Sequence, residues 1–152
     1  MNTSDSSTIP PDLPQVTLYC DGAAIPNPGN TGVGVVLLFG DHRKEISRTI
    51  GQGSNNSSEI MACVVGLNAL KVPCAVTLVS DSQYVVRTMT GEYSHKTNLA
   101  LWALLDAAAA RHVVEWQWTR GHVGQPENER ANALAEQAAR RRDAPLFEGV
   151  EP

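Results

Sequence analysis

The sequence predicts an α/β fold whose core is a mixed five-stranded sheet with helices on both faces. Three strand-like segments come first, separated only by turns, which predicts an antiparallel meander for strands 1 to 3. Two further strand-like segments alternate with helical ones, and strands separated by helices are joined by crossovers and run parallel. Strands 4 and 5 therefore extend the meander in parallel, in the order βββαβααβα.

The three strands of the meander are predicted from their side-chain patterns. Val16–Cys20 alternates apolar and polar residues, Gly32–Phe39 is a continuous β-branched run, and Arg43–Ile50 alternates as a more exposed strand. The stretch at 23–31, which holds a Pro/Asn/Gly cluster, and the polar stretch at 51–58 are predicted as loops.

The rest of the chain reads as alternating helices and strands. An apolar stripe predicts a helix from about Ser57 to Leu70, and Pro126 suits the first turn of a last helix that ends in the basic run 140–142. Between them lie a fourth strand (75–80), two helices (83–90 and 99–111) and a fifth strand (113–119).

Length and composition are those of one globular domain. The chain has 152 residues, 42% of them hydrophobic and 18% charged, which is enough apolar material for a core. We expect a flexible leader at 1–15, the domain at 16–142 and an acidic tail at 143–152. No segment reads as a signal peptide or a membrane span, so we expect a cytoplasmic protein without a membrane partner. Cys20, Cys63 and Cys74 have apolar neighbours and are expected to be buried free thiols.

The net charge of −4 does not exclude a polyanionic partner. Five of the acidic residues lie in the leader and the tail, which leaves 12 basic and 11 acidic residues in the body of the chain. Cations held at a carboxylate site would make that body still more positive.

Three acidic residues stand at predicted element boundaries. Asp21 is expected to end strand 1, Glu59 to open the first helix and Asp81 to end strand 4. Each has an ordinary structural alternative: an Asp-Gly turn for Asp21, a capping box between Asn56 and Glu59, and a helix N-terminal charge or cap for Asp81. If strands 1 and 4 are neighbours, however, all three converge at one edge of the sheet. Clustered carboxylates favour Mg²⁺ or Mn²⁺, and two such ions can support phosphodiester hydrolysis.

Four motifs carry a resemblance to the type 1 ribonucleases H: TLYCDGAAIPNPGNTGVG, NNSSEIMA, SDSQYVV and WTRGHVGQPENERANALA. They occur in that family's order and spacing, and the likeness covers about Val16 to Arg142. It implies the RNase H-like fold and a monomeric endonuclease that cleaves the RNA strand of RNA/DNA hybrids. It also implies 3′-hydroxyl and 5′-phosphate ends and a requirement for Mg²⁺ or Mn²⁺, with two ions per site when substrate is bound.

The resemblance assigns site residues position by position. Asp21, Glu59 and Asp81 match the first three metal-binding acids of the family, whereas Asn132 stands where the fourth acid is expected. A carboxamide is a weaker, neutral ligand, so we expect an active enzyme that needs more metal or prefers Mn²⁺. His122 matches a mobile histidine that serves in proton transfer or product release.

The resemblance also implies substrate contacts. Asn27, Asn56 and Gln83 resemble residues that contact the minor groove, where amides can bind without selecting a base, and Ser54 resembles a contact to a DNA-strand phosphate. Two other functions stay open. The loss of the fourth acid allows a catalytically impaired hybrid-binding module. A proofreading exonuclease is disfavoured because Ala23 stands where that class has a second acid.

Overall fold

The computed structural model describes residues 12–120 and 125–141, and these form a five-stranded mixed sheet with four helices. The elements are β1 Gln15–Ile25, β2 Gly29–Phe39, β3 His42–Gly53, α1 Asn55–Asn68, β4 Ala75–Ser80, α2 Gln83–Met89, α3 Leu99–Ala110, β5 Val113–Trp118 and α4 Pro126–Arg140. The strand order is β3-β2-β1-β4-β5. The β1–β2 and β2–β3 pairs are antiparallel, and the β1–β4 and β4–β5 pairs are parallel. The predicted fold class is confirmed.

The first two strands are longer than predicted, because most of the stretch predicted as a loop at 23–31 belongs to them. Ala23 and Ala24 pair with Gly32 and Thr31, so only three residues separate β1 from β2. The Pro/Asn/Gly cluster at 26–29 supplies the tight turn between the two strands. The prediction that Asp21 ends strand 1 was therefore wrong, since Asp21 lies inside β1.

The first helix also begins earlier than predicted. Strand β3 continues to Gly53, and Ser54 is the N-cap of α1, with its hydroxyl accepting from the Ser57 N–H at 3.0 Å. Ser57 Oγ in turn accepts a hydrogen bond from the Ser54 N–H at 2.9 Å, which completes a capping box. The alternative capping box between Asn56 and Glu59 is thereby excluded, and Glu59 is left with a different role.

The main hydrophobic core lies between the sheet and helices α1 and α3. Its members alternate along β1 and β2 and meet the apolar side of α1, as in Leu18, Val35 and Ile60, each fully buried. Cys20, Cys63 and Cys74 are buried and free, as predicted.

Helix α4 covers the opposite face of the sheet through small residues, which we call the Gly/Ala seam. A Cβ at Gly34 would overlap the backbone of α4 at Ala131, and one at Gly32 would overlap α4 near Ala135. Only glycine on the strand lets the helix backbone come this close. Three side chains of the sheet also bond to carbonyls of α4: Ser47 to Leu134 (2.7 Å), Thr49 to Ala138 (2.7 Å) and Asn30 to Ala139 (2.6 Å).

Some predictions lie outside the described residues. These are the leader up to residue 11, His122, Arg142 and the acidic tail. Within the described ranges, no helix combines the length and apolar character that crossing a bilayer requires.

Candidate active site

Asp21, Glu59 and Asp81 meet in one place. Each offers a carboxylate oxygen, and the three oxygens lie within 4.8 Å of one another. The parallel pairing of β1 with β4 runs as far as Tyr19 and Val79. Asp21, inside β1, and Asp81, directly after β4, each lie two residues beyond that last pair, and α1 brings Glu59 alongside. The convergence predicted from the sequence is confirmed.

Gly22 allows α1 to approach β1 closely enough to join the two acids. A Cβ at position 22 would overlap the Ser58 carbonyl group, so any other residue would push the helix away. The Gly22 N–H donates to Asp21 Oδ1 at 3.0 Å and to Glu59 Oε1 at 3.1 Å. One backbone amide therefore ties the strand carboxylate to the helix carboxylate.

Burial and mutual repulsion alter the protonation of this pair. Asp21 is only 3% exposed, and burial, followed by the negative charge of Asp81, raises its pKa to about 7. Burial and the charge of Asp21 also hold the pKa of Glu59 well above its usual range. The two carboxyls are hydrogen-bonded to each other, so in the absence of a cation they retain protons that exposed acids would lose.

Asp81 is held at the end of β4 without capping a helix. The N-cap of α2 is Ser82, whose hydroxyl accepts from the Val85 N–H at 3.1 Å. Trp118 of β5 donates its indole N–H to the Asp81 carbonyl at 3.2 Å. The structural alternative for Asp81 as a helix cap is therefore excluded, and its carboxylate faces the other two acids.

Asn128 supports Asp81 and was not predicted from the sequence. It is fully buried in the first turn of α4, and its Nδ2 donates to Asp81 Oδ2 at 3.4 Å. Within the described part of the chain its Oδ1 has no hydrogen-bond partner. In the sequence Asn128 looks like one polar residue among several at a helix start, and nothing there shows that it is buried.

The acids line an open cavity of about 360 Å³, to which α4 contributes Asn132 and Glu136. Asn132 therefore lies beside the three carboxylates, where the resemblance places it. Its Nδ2 donates to Glu136 Oε2 at 3.4 Å. The charge of Glu136 also adds to the raised pKa of Asp21. Glu136 was missed at the sequence level, where the only clue is its position one helical turn after Asn132.

None of the predicted substrate residues Asn27, Asn56, Gln83 and Ser54 lines this cavity, and their settings differ. Asn27 is exposed, and its Oδ1 accepts from the Asn55 N–H at 3.0 Å, while Asn55 Oδ1 accepts from the Ala24 N–H at 2.9 Å. Asn55 itself lines the cavity and was also missed. Asn56 lies in the first turn of α1 and Gln83 is the first residue of α2, and both are exposed. The Ser54 side chain caps α1.

A larger concavity of about 460 Å³ lies elsewhere, between β3, α1 and α3. Basic and apolar side chains line it, among them Lys44, Ile46 and Leu104, and no acid does. The larger of these two concavities is therefore not the one that contains the three clustered acids.

The acidic cavity fits a divalent metal ion. The carboxylates of Asp21, Glu59 and Asp81 and the nearby carboxamide of Asn132 all offer oxygen, and hard cations such as Mg²⁺ prefer oxygen ligands. A buried cluster of carboxylates has a raised affinity for protons, and a cation that displaces those protons relieves the same repulsion. The fold and site thus define an α/β protein with an acidic centre whose oxygen ligands suit a divalent metal ion.

Comparison with known proteins identifies the family. The RNase H family model matches residues 14–140. The chain is 41% identical to the ribonuclease H of Shewanella amazonensis, covering 93% of this chain and 99% of that one. It is 44% identical to the ribonuclease HI of Caulobacter vibrioides, covering 84% and 94%. The structure of LC11-RNase H1 in complex with an RNA/DNA hybrid superposes with a TM-score of 0.66 at 27% identity, covering 82% and 96%. The chain belongs to the RNase H family, as a nuclease of the ribonuclease HI kind.

Proposed function

We propose that this protein is an endoribonuclease that hydrolyses the RNA strand of RNA/DNA hybrids and leaves 3′-hydroxyl and 5′-phosphate ends. The convergence of three carboxylate oxygens within 4.8 Å is the observation that carries the proposal. Mg²⁺ or Mn²⁺ is the cofactor that this oxygen-only donor set favours, with two ions per site when substrate is bound. The relative LC11-RNase H1, which binds an RNA/DNA hybrid, supports the choice of substrate.

Amide groups beside the acids suit a hybrid duplex. Asn27 and Asn55 each use the side-chain oxygen inside the fold, which leaves their NH₂ groups to donate to a ligand. Such donors can bond 2′-hydroxyls and minor-groove acceptors, which every base pair presents. Asn56 and Gln83, which are exposed in the first turns of α1 and α2, are proposed to donate to the minor groove as well, and Ser54 is proposed to contact a phosphate of the DNA strand.

Each residue of the site has a proposed role in hydrolysis. Asp21, Glu59, Asp81 and Asn132 would hold the metal ions, which when bound would activate a water molecule and stabilise the leaving 3′-oxygen. Asn128, buried behind Asp81, donates a hydrogen bond that helps to hold the Asp81 carboxylate in place. We assign His122 to protonation of the leaving oxygen or to product release, by its resemblance alone. The enzyme is proposed to act as a monomer.

A cleavage assay on labelled duplexes of about one helical turn or longer tests the proposal. We expect cutting of the RNA strand in RNA/DNA hybrids, with RNA/RNA and DNA/DNA duplexes left intact, and loss of cutting in EDTA. Asp81→Asn should reduce the rate to background without unfolding the protein. Products should be extendable by a polymerase and should carry a 5′-phosphate that phosphatase removes. Equal cleavage of all three duplexes, or cleavage that survives EDTA, would refute the proposal.

The same assay decides between the enzyme and the hybrid-binding module. Asn132 is the observation that favours the module, because the site lacks one negative charge there. Retention of the hybrid in a gel, without cutting at any Mg²⁺ or Mn²⁺ concentration, would establish the module instead.

A further inference from the structure

Asn132 presents a problem that an aspartate in the same place would not. A carboxylate has two equivalent oxygens, and either can face a cation. A carboxamide has one oxygen and one NH₂ group, and rotation by half a turn would aim the NH₂ donor at the cation. An asparagine ligand therefore needs a neighbour that fixes which end faces the metal.

Glu136 is placed to be that neighbour. It follows Asn132 by four residues on α4, so the two side chains lie on the same face of the helix. Asn132 Nδ2 donates to Glu136 Oε2 at 3.4 Å, and both residues line the cavity of Asp21, Glu59 and Asp81. The flipped amide would set its oxygen against a carboxylate oxygen, and two acceptors repel each other.

Glu136 is itself restrained from the other side. Arg140, a further four residues along α4, places Nη1 3.6 Å from Glu136 Oε1. One oxygen of the glutamate thus faces the arginine and the other faces the asparagine. The Gly/Ala seam fixes α4 against the sheet, so this row of three side chains has a defined place relative to the acids.

We propose that Glu136 is a positioning residue that orients the carboxamide of Asn132, so that Oδ1 rather than the NH₂ group faces the metal ions. The inference rests on the proposed function in one respect, the assignment of Asn132 as a metal ligand. Glu136 acts through Asn132 as a hydrogen-bond acceptor, and its role follows from the amide at position 132.

Two substitutions separate hydrogen bonding from charge. Glu136→Gln and Glu136→Ala both remove the negative charge, but when Asn132 Oδ1 faces Mg²⁺ only glutamine offers an oxygen that can accept from Asn132 Nδ2. Because glutamine also carries an NH₂ group that can pair with the flipped amide, Glu136→Gln should bind Mg²⁺ more weakly than the unaltered protein. Isothermal titration of the metal-free full-length protein with Mg²⁺ measures the affinity of each variant. Outer partners of metal ligands are typically worth about 10–100-fold in affinity, so we expect Glu136→Ala to bind Mg²⁺ about tenfold more weakly than Glu136→Gln. Gln137→Ala, an exposed change on the same helix, is the matched control and should bind like the unaltered protein.

A second background tests the reason for the effect. With Asn132→Asp in place the ligand has two equivalent oxygens, so the difference between the alanine and glutamine variants at 136 should disappear. Side-chain amide NMR signals give a readout independent of activity. The heteronuclear ¹H–¹⁵N NOE of the Asn132 NH₂ group should be high in the unaltered protein, where the side chain is held, and lower in Glu136→Ala.

The outcomes distinguish the inference from the function on which it rests. Equal Mg²⁺ affinities for Glu136→Ala and Glu136→Gln, with Asn132→Ala still weakening binding, would overturn the positioning role alone. If Asn132→Ala binds Mg²⁺ as tightly as the unaltered protein, Asn132 is no ligand, and both the positioning role and that part of the proposed function fail.

Discussion

Asp21→Asn should make the metal-free protein more stable while it disables the metal site. Asp21 is buried beside two other carboxylates, and its pKa is raised to about 7. An aspartate in the unfolded chain loses its proton near pH 3.9. Between these values the folded protein retains a proton that the unfolded chain has released, so stability falls as the pH rises. Above pH 7 the whole penalty is present.

The size of the penalty follows from the shift. One pKa unit corresponds to 1.36 kcal/mol, so a rise of roughly three units amounts to about 4 kcal/mol at pH 8. Asparagine removes the charge but keeps an oxygen that can accept from the Gly22 N–H. Allowing for imperfect replacement of the other contacts, we expect a net gain of about 2–4 kcal/mol, which corresponds to a rise in Tm of roughly 5–10 °C.

Urea unfolding in EDTA across pH 4 to 8 measures this effect. The difference in unfolding free energy between Asp21→Asn and the unaltered protein should be small near pH 4, grow towards pH 7 and level off above it. Asp106→Asn is the control, because Asp106 is exposed on α3 and its substitution should change stability by less than about 0.5 kcal/mol. A gain that is absent at pH 8, or equal at every pH, would refute the electrostatic account of the site.

Three further predictions concern the proposed metal ligand Asn132, the partly buried His112 and the close contact at Gly22. Asn132→Asp adds a negative ligand, so the Mg²⁺ concentration for half-maximal hybrid cleavage should fall about tenfold; superimposable titrations would contradict this. His112 accepts a hydrogen bond from the Cys74 N–H, and burial, with a smaller effect of the neighbouring arginine charge, lowers its pKa. Because the unfolded chain then takes up the proton more readily, stability should fall as the pH drops below about 6.5, and chemical denaturation of His112→Gln should lack this part of the slope. Gly22→Ala should cost about 1–3 kcal/mol of stability in thermal melts and weaken Mg²⁺ binding, because the methyl group displaces α1; an unchanged Mg²⁺ affinity would show that the close contact is dispensable.

The sequence carried enough information to predict the sheet and the three acids. Strand β4 was predicted with its observed bounds, because a short apolar run that stops at Asp81-Ser82 is typical of a buried strand. Parallel pairing of β1 and β4 then required Asp21 and Asp81 to be close. The element ends were less predictable. The Gly and Pro residues at 26–29 looked like a long loop, although β1 and β2 continue their pairing almost to the turn.

Residues whose roles depend on burial or on a neighbouring element were missed. Asn128, Asn55 and Glu136 are polar residues in helices, and their sequence context is that of an ordinary exposed surface. Only the close contact of α4 with the sheet shows that Asn128 is buried, and only the shared cavity relates Glu136 to Asn132. The capping residue Ser54 was passed over in favour of Asn56, because both fit the composition of a cap and backbone geometry alone separates them.

The Gly/Ala seam has an evolutionary consequence. Because α4 is located by backbone packing and by three hydrogen bonds from the sheet, the position of residue 132 is independent of which side chain it carries. A lineage can therefore exchange a carboxylate for an amide at this point, and so change how much metal the enzyme demands, without rebuilding the architecture around it. Single substitutions at position 132 could therefore change the divalent-cation requirement of related enzymes during evolution.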